Sequence, residues 1–298
     1  MSNLQMAGKV VVITGATSGI GQVAAEALAG MGARIVQVAR NKERGEAALV
    51  RLRQRGPGID HAVLYADLLH LSEMRRVGAE LAQQLDRVDV LINNAGAMFG
   101  SFAEVEGLER TFALNHLSYF VLTWALRGRL VASSPARVVS TASDAHSVGN
   151  VDFSDLQSRH LYARRGLRRW LRFGGPGFEV YGRSKLYNIL FSRELARRLS
   201  STGVTANCLH PGFVATRFGD ESGGLISLGL RVGKLLALKP EEGAATLIYL
   251  ASDPELAETT GGYYHRKRPA TPSREARDDE LARRLWVETE RLSGCVWP

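Results

Sequence analysis

A tyrosine and a lysine, four residues apart, are the first candidates for acid–base chemistry in this sequence. Tyr181 and Lys185 lie in a stretch with a helical pattern, where the i, i+4 spacing puts both side chains on one face. A free tyrosine has a pKa of about 10 and is a poor base at neutral pH. A neighbouring ammonium stabilises the phenolate, and lowering the pKa by about 3 units needs about 4 kcal/mol of differential interaction. The pair predicts proton transfer at a phenol, although this spacing also arises by chance.

A glycine-rich turn follows the first predicted strand and precedes a helix, with the spacing GxxxGxG. Gly15 permits a tight turn, Gly19 lets the backbone approach a phosphate, and Gly21 lets the helix pack close to the sheet. The start of the helix offers N–H groups and the positive end of its dipole to a pyrophosphate. We therefore expect a dinucleotide to bind here. The residues predicted to contact it are Gly15, Thr17, Ser18, Gly19, Ile20 and Gly21.

The end of the second predicted strand indicates which dinucleotide binds. This strand ends at Arg40, and no carboxylate occupies the turn that follows. An acidic residue at this place binds the ribose hydroxyls of NAD, whereas an arginine suits the 2′-phosphate of NADP. Arg40 can make paired hydrogen bonds to a phosphate, which a carboxylate would repel. NADP(H) is the predicted cofactor and NAD(H) the less favoured one; an arginine in a solvated loop is the alternative.

Two further turns after strands are predicted to contact the adenosine half of the cofactor. Asp67 and Leu68 follow the third strand, where the Asp67 carboxylate can accept a hydrogen bond from the adenine amino group. Capping of the next helix by Asp67 is the alternative. Asn94, Ala95 and Gly96 follow the fourth strand, where small residues let the chain pass beneath the adenine ribose. A plain Asn-Gly-type turn is the alternative there.

Alternating strands and helices must position these turns. The predicted strands cover residues 9–14, 34–39, 62–66, 88–93, 136–141 and 204–209. The predicted helices cover residues 20–31, 43–54, 71–85, 108–130, 181–199, 241–250 and 275–292. Several strands are apolar throughout, which is typical of parallel strands buried on both faces. We expect an α/β fold over residues 1–298: a single Rossmann-type domain with a doubly wound parallel sheet of about seven strands and helices on both faces.

Taken together, the motifs resemble the short-chain dehydrogenase/reductase family. The matching segments are TGATSGIG, NNAG, Ser143 after the fifth strand, YGRSK, and PGFVAT after the sixth strand. They occur in this order, and the resemblance covers about residues 8–264. The chain is most similar to the retinol-dehydrogenase-like branch, through STASDAH, YGRSKLYNILFSRELARRL and TGVTANCLHPGFVAT.

The resemblance implies a role for each matching residue. Tyr181 exchanges a proton with the substrate oxygen, while Lys185 lowers the pKa of Tyr181 and holds the nicotinamide ribose. Ser143 hydrogen-bonds the substrate carbonyl, and Asn115 kinks its helix and supports a water that relays protons from Lys185. His146 matches the branch motif and is assigned no catalytic role. The residues implied to contact the nicotinamide amide and the phosphates are Pro211, Gly212, Val214 and Thr216.

Composition limits the partners and the location that we expect. Of 298 residues, 45% are hydrophobic and 23% charged, as in ordinary soluble proteins. The net charge is +8, but no nucleic-acid-binding motif accompanies the arginines, so we expect no nucleic-acid partner. The two cysteines lack a CxxC partner and predict neither a disulfide framework nor a metal site. Since neither a spanning apolar stretch nor a signal-peptide pattern is found, a cytoplasmic location is the expectation.

Two segments depart from the regular alternation. The segment at about 152–179 is a basic insertion, with arginines interleaved with apolar residues over 159–173. It is interpreted as a lid, as a peripheral membrane contact or as a docked helix, and the sequence leaves these three open. Residues 225–238 are apolar and correspond to the family's mobile substrate loop, which indicates a lipophilic substrate. A core helix is the alternative for that stretch. A charged helix is expected at about 275–292.

The function predicted from these features is NADP-dependent hydride transfer on a small-molecule carbonyl or alcohol, with Tyr181 as general acid or base. The main alternative is an NADP-binding regulatory or scaffolding protein without turnover. The presence of Asn115, Ser143 and Lys185 beside Tyr181 argues against that alternative. An epimerase or dehydratase is weaker, because such enzymes usually have a larger C-terminal substrate domain. The sequence leaves open whether the chain forms a homo-oligomer.

Overall fold

The apolar strands lie side by side in one sheet. A computed structural model describes residues 4–163, 175–212 and 239–297 of the chain. Its strands are β1 (Val10–Thr14), β2 (Arg34–Ala39), β3 (Ala62–Tyr65), β4 (Val90–Asn93), β5 (Glu104–Val105), β6 (Leu108–Glu109), β7 (Ala136–Thr141), β8 (Val204–Leu209), β9 (Tyr263–His265) and β10 (Arg268–Pro269). Across these ranges the main sheet has the order β10-β9-β8-β7-β4-β1-β2-β3, and only the β9–β10 pair is antiparallel. The predicted doubly wound α/β fold is confirmed.

Helices cover both faces of this sheet. They are α1 (Gly19–Gly30), α2 (Lys42–Arg55), α3 (Leu71–Gln84), α4 (Arg110–Phe112), α5 (Ser118–Ala132), α6 (Arg159–Ala163), α7 (Pro176–Arg198), α8 (Pro240–Ser252) and α9 (Asp279–Ser293). On one face α1 packs against α8; on the other α3 packs against α5, and α7 against α9. In β1, Val10 and Val12 join the core under α5, whereas Val11 and Ile13 join the core under α1. Burial of both faces explains why the strands are apolar throughout.

The long helix predicted over 108–130 was wrong at its start. Its first two residues form β6, which pairs with β5. The Glu109 carboxylate accepts a hydrogen bond from the Phe112 N–H and so caps the helical path that begins after β6. A π-helical turn, Ala113–Leu117, then separates α4 from α5. We refer to this segment below as the π turn.

The helix that carries Tyr181 begins earlier than predicted. It starts at Pro176, directly after Gly175, which has a φ of 118°. Proline suits the first helical position, because its fixed φ is helical and its missing N–H would have had no partner there. Tyr181 therefore lies within α7 rather than at its first residue.

The C-terminal part also differs from the prediction in detail. The short strands β9 and β10 bring the main sheet to eight strands where about seven were expected. The helix predicted over 275–292 is divided into a 3₁₀ turn, Glu275–Arg277, and α9. Asp278 separates them, because its carboxylate accepts hydrogen bonds from the N–H groups of Glu280 and Leu281 and so caps α9.

Some sequence predictions fall outside the described residues. They are the cofactor contacts Val214 and Thr216, the apolar stretch 225–238, and most of the basic stretch 159–173. These stay predictions. In the part of the chain that the structure describes, no helix combines the length and the apolar character needed to cross a membrane.

Candidate active site

A cleft of about 860 Å³ lies at the carboxyl edge of the parallel strands. Its walls come from the turns after β1, β2, β3, β4, β7 and β8 and from α7. All predicted cofactor contacts within the described residues line it. They are Gly15, Thr17, Ser18, Gly19, Ile20, Gly21, Arg40, Asp67, Leu68, Asn94, Ala95, Gly96, Tyr181, Lys185, Pro211 and Gly212. Ser143 lines the same cleft, whereas Asn115 lies behind its wall.

The glycine turn is held against the turn after β4 at distances that exclude side chains. Asn94 Nδ2 donates to the carbonyl oxygens of Thr14 (3.1 Å) and Gly15 (3.2 Å). Thr14 Oγ1 accepts from the N–H groups of Asn94 (3.0 Å) and Ala95 (2.9 Å). A Cβ on Gly15 would lie 2.9 Å from Ala95 Cα, and one on Gly21 would overlap the Gly15 oxygen and Asn94 Nδ2. Gly21 therefore makes room for the Asn94 amide, a contact that the glycine spacing alone did not reveal.

The N-terminus of α1 fits the phosphates of a dinucleotide. Gly19 begins the helix with a φ of 59°, in the left-handed region that glycine adopts without strain. Ser18 occupies the cap position, and its side chain makes no capping hydrogen bond. The first-turn N–H groups and the positive end of the helix dipole thus remain for an anion. The glycine contacts and this helix end together fit a pyrophosphate.

Two arginines lie at the end of the cleft that follows β2. Arg40 and Arg44 both line it. Between them, Asn41 caps α2, because its Oδ1 accepts a hydrogen bond from the Arg44 N–H (2.9 Å). The cap fixes the backbone between Arg40 and Arg44. Two arginines attached to such a backbone can make paired hydrogen bonds to a phosphate.

Asp67 does not cap α3. Its Oδ1 accepts a hydrogen bond from the Leu69 N–H (3.1 Å) in the turn before that helix. The cap position of α3 is occupied by His70, whose side chain makes no capping hydrogen bond. The capping alternative for Asp67 is therefore wrong, and its contact with adenine stays a prediction supported by its place in the cleft.

Tyr181 and Lys185 lie on consecutive turns of α7. Lys185 Nζ is 5.5 Å from the centre of the Tyr181 ring and 5.8 Å from that of Tyr119. It donates a hydrogen bond to the carbonyl oxygen of Thr141 (3.0 Å). Ser143, just beyond the end of β7, hydrogen-bonds with the Tyr181 side chain. The fold thus brings Ser143, in the turn after β7, to the Tyr181–Lys185 pair of α7.

Burial disfavours the charged forms of Tyr181 and Lys185. It raises the pKa of Tyr181, and the hydrogen bond with Ser143 offsets this only in part. It lowers the pKa of Lys185 to about 7. Desolvation is the largest cause of the Tyr181 shift, so burial opposes the acidification that the Tyr–Lys spacing predicts.

Asn115 lies in the π turn and joins two walls of the site. Its Oδ1 accepts a hydrogen bond from the Ala97 N–H, and its Nδ2 donates to Ala97 O and Ser184 Oγ, all at 2.9 Å. A Cβ on Gly96 would lie 3.1 Å from Asn115 Oδ1 and 3.4 Å from Lys185 Nζ. The kink expected at Asn115 is a π turn, in which one extra residue bulges from the helix. Its part in a proton relay stays a prediction.

The cleft is also lined by residues that the sequence analysis did not single out, among them Phe178, His210, His265 and Arg266. Phe178 precedes Tyr181 by one helical turn, so helical spacing could have found it. The rings of His210 and His265 stack with centroids 3.9 Å apart. Burial, followed by the neighbouring His265, lowers the pKa of His210 to about 4. His265 and Arg266 come from the end of β9, a strand too short to give a recognisable pattern.

Comparison with known proteins gives relatives along the whole chain. The family model described as short chain dehydrogenase matches residues 9–155. Retinol dehydrogenase 13 of Homo sapiens is 38% identical, over 100% of this chain and 88% of its own. Polyprenol dehydrogenase of Mus musculus is 37% identical, over 97% of this chain and 84% of its own.

Solved structures show the same similarity in three dimensions. An uncharacterised protein from Mycobacterium Paratuberculosis has a TM-score of 0.75 at 32% identity, covering 98% of this chain and 96% of that one. The RhlG/NADP active-site complex from Pseudomonas aeruginosa has a TM-score of 0.67 at 26% identity, covering 95% of this chain and 99% of that one. The likeness therefore includes the C-terminal part as well as the nucleotide-binding half.

Gly21→Ala is expected to weaken the binding of NADPH by about tenfold or more, because the added Cβ displaces the Gly15 oxygen or the Asn94 amide. The measurement is the Kd from a fluorescence titration of NADPH. Gly128→Ala in α5 is the matched control, since a Cβ there meets nothing within 4 Å. If both variants fold and bind NADPH as the unaltered chain does, the assignment of the glycine turn to NADPH binding is wrong.

Proposed function

Because the chain belongs to the short-chain dehydrogenase/reductase family, as its full-length similarity to retinol dehydrogenases shows, we propose a specific reaction for its cleft. The family makes it an oxidoreductase that acts on CH–OH or C=O groups and binds a nicotinamide cofactor. Within this class we propose hydride transfer between NADP(H) and a lipophilic aldehyde, ketone or alcohol. The observation that carries the proposal is the meeting of Tyr181, Lys185 and Ser143 in the cleft that contains the glycine turn.

Tyr181 is proposed to be the general acid in reduction and the general base in oxidation. Its side chain and that of Ser143 hydrogen-bond each other in the cleft wall, so one substrate oxygen can contact both hydroxyls. Since burial raises the pKa of Tyr181, the phenol is protonated at neutral pH, and this form donates a proton to a developing alkoxide. When bound, the nicotinamide supplies or accepts the hydride at the substrate carbon.

Lys185 is proposed to tune the proton affinity of Tyr181 and to hold the cofactor ribose. With burial lowering its pKa to about 7, its amine gains or loses a proton near neutral pH. As an ammonium, 5.5 Å from the Tyr181 ring centre, it favours the phenolate. One N–H is directed to Thr141 O, which leaves the others for ribose hydroxyls. Asn115, which donates a hydrogen bond to Ser184 of α7, is proposed to support the proton relay.

The choice of NADP over NAD rests on Arg40 and Arg44. Both guanidinium groups line the end of the cleft where the turn after β2 would meet the adenosine ribose. A 2′-phosphate carries nearly two negative charges, which two arginines bind and which a carboxylate would repel. The relative solved as an RhlG/NADP complex supports this choice of cofactor.

A lipophilic substrate is proposed from the apolar side of the cleft. Met98, Leu114 and Phe178 line it, and Phe178, which precedes Tyr181 by one helical turn, is 36% exposed. An exposed aromatic ring beside a reaction centre gains free energy when an apolar ligand covers it. The relatives named for retinol and polyprenol, both apolar alcohols, support the same class.

Tyr181→Phe is expected to lower kcat by about 10²- to 10⁴-fold, because the phenolic proton is lost while the ring remains. The assay follows NADPH oxidation against a panel of aliphatic, aromatic and steroid-like aldehydes and ketones. Tyr65→Phe is the control, because Tyr65 bonds Glu46 outside the cleft. A Tyr181→Phe variant as fast as the unaltered chain refutes the assigned role. If the unaltered chain binds NADPH but turns over no panel member, the scaffolding alternative is supported instead.

Arg40→Ala is expected to weaken NADPH binding by about tenfold, through loss of charge-assisted hydrogen bonds, while NADH binding is unchanged. The two Kd values are measured by titration, and the double variant with Arg44→Ala should widen the effect. Arg53→Ala is the matched control, because Arg53 is an exposed arginine of α2 that lies outside the cleft. An equal loss for NADH and NADPH would show that these arginines do not read the 2′-phosphate.

Phe178→Ala is expected to raise KM for long apolar aldehydes by about fivefold, because the apolar area that such a substrate buries against the phenyl ring is lost. KM for a small water-soluble ketone should change little, because such a substrate has little apolar area to bury against the ring. Steady-state kinetics over a series of aldehydes of rising chain length test this. A KM increase that is independent of chain length would speak against an apolar substrate contact at Phe178.

A further inference from the structure

Two buried histidines stand next to the predicted catalytic residues and reach the C-terminal end of the chain. His116 follows Asn115 in the π turn, and His146 lies one turn beyond Ser143. Only 1% and 3% of their respective surfaces are exposed. Each hydrogen-bonds to residues 273–297, which we call the C-terminal segment. Within the described part of the chain neither histidine lines the cleft, so both are treated as positioning residues.

His116 joins the π turn to α9. Its Nε2 lies 3.0 Å from the hydroxyl of Thr289, a fully buried residue. The Thr289 hydroxyl lies within hydrogen-bond distance of Leu285 O (2.8 Å), and if it donates there the histidine donates from Nε2. The rings of Phe112 and Tyr187 hold the imidazole at centroid distances of 5.4 Å and 5.5 Å. A neutral histidine suits this place, since burial lowers its pKa to about 3.

His146 joins the turn of Ser143 to the start of the C-terminal segment. Its Nε2 accepts a hydrogen bond from the Ser273 N–H (3.0 Å), which requires the lone pair of a neutral ring. The other nitrogen, Nδ1, therefore carries the proton and donates to Ser143 O (2.8 Å). Burial lowers the pKa of His146, although its bond to the Ser143 backbone opposes this, and the direction agrees with the neutral ring that the Ser273 hydrogen bond requires. The neutral His146 ring protonated at Nδ1 thus fits both of its partners, Ser143 O and the Ser273 N–H.

The C-terminal segment is itself firmly attached to the helices of the site. The Trp286 ring contacts the Phe120 ring at 4.8 Å and stacks on Phe191 of α7 at 5.8 Å. Arg193, also on α7, donates to the Asp279 carboxylate at 2.7 Å. A segment held in this way can transmit its position to the two turns that it contacts.

We propose that the C-terminal segment is a positioning element of the active site, which holds the Asn115 turn through His116 and the Ser143 turn through His146. The proposal rests on the function proposed above as far as catalysis is concerned. The two links are independent, because they start from different turns and end at different residues, Thr289 and Ser273. The segment lies beyond the residues that the short chain dehydrogenase model matches.

Thr289→Val tests the first link, because it removes the hydroxyl and keeps the shape. We expect kcat to fall about tenfold. KM for NADPH should stay unchanged, since the substitution in α9 leaves the glycine turn unaltered. Thr289→Ser keeps the hydroxyl and should restore kcat. A lower Tm with an unchanged kcat, or equal loss of kcat in both variants, would overturn the first link.

His146→Phe and His146→Asn test the second link. Phenylalanine removes both hydrogen bonds, whereas the asparagine amide nitrogen can replace Nδ1 and keep only the bond to Ser143 O. If the contact with the C-terminal segment matters, both variants lose kcat without a change in KM for NADPH. Full activity of His146→Asn would overturn the second link, because Ser273 would then be dispensable.

Amide hydrogen exchange measures positioning without turnover. We expect faster exchange in the π turn of Thr289→Val and in residues 144–148 of His146→Phe, with neither change in Thr289→Ser. Unchanged exchange in both turns would overturn the proposal. If the unaltered chain reduces no substrate but exchange changes as expected, the proposed function fails and the positioning role stands.

Discussion

A phenol and an amine buried one helical turn apart are the constraint on which the site depends. In water Tyr181 would be neutral and Lys185 charged at pH 7, and burial favours the neutral form of both. The pair therefore carries less charge at neutral pH than it would in water, and needs less counter-charge beside it. Under the proposed function, the positive nicotinamide ring of an oxidised cofactor would add to the ammonium in favouring the phenolate.

The parallel sheet brings the other components to this pair. Because the carboxyl ends of β1, β4 and β7 meet at one edge, the glycine turn, Asn94 and Ser143 become neighbours although the chain separates them. Contact between the turns is so close that Gly15 and Gly21 have no room for a Cβ. The Asn94 amide that fills this space also donates hydrogen bonds to the glycine turn. Nucleotide binding and sheet geometry therefore depend on the same hydrogen bonds.

The contacts of the C-terminal segment extend this arrangement over long distances in the chain. His146 and Ser273 are 127 residues apart, and His116 and Thr289 are 173 residues apart. Both links use neutral imidazoles, which can donate at one nitrogen and accept at the other. Burial lowers the pKa of both histidines, in agreement with the neutral rings in these links, and it shifts the reactive pair towards its neutral forms as well.

The sequence by itself determined the alternating α/β architecture, the glycine turn and the Tyr181–Lys185 pair, because these depend on spacings of a few residues. It did not determine where the helical path before Asn115 begins, since the backbone N–H of the capping residue Glu109 is held by Gln157 Oε1, which lies 48 residues away in the chain. Nor did it give the directions of the pKa shifts, which depend on how much of each group the whole fold buries. The tertiary structure alone decided the partners of His116 and His146, because residues far apart in the chain leave no local pattern when they meet.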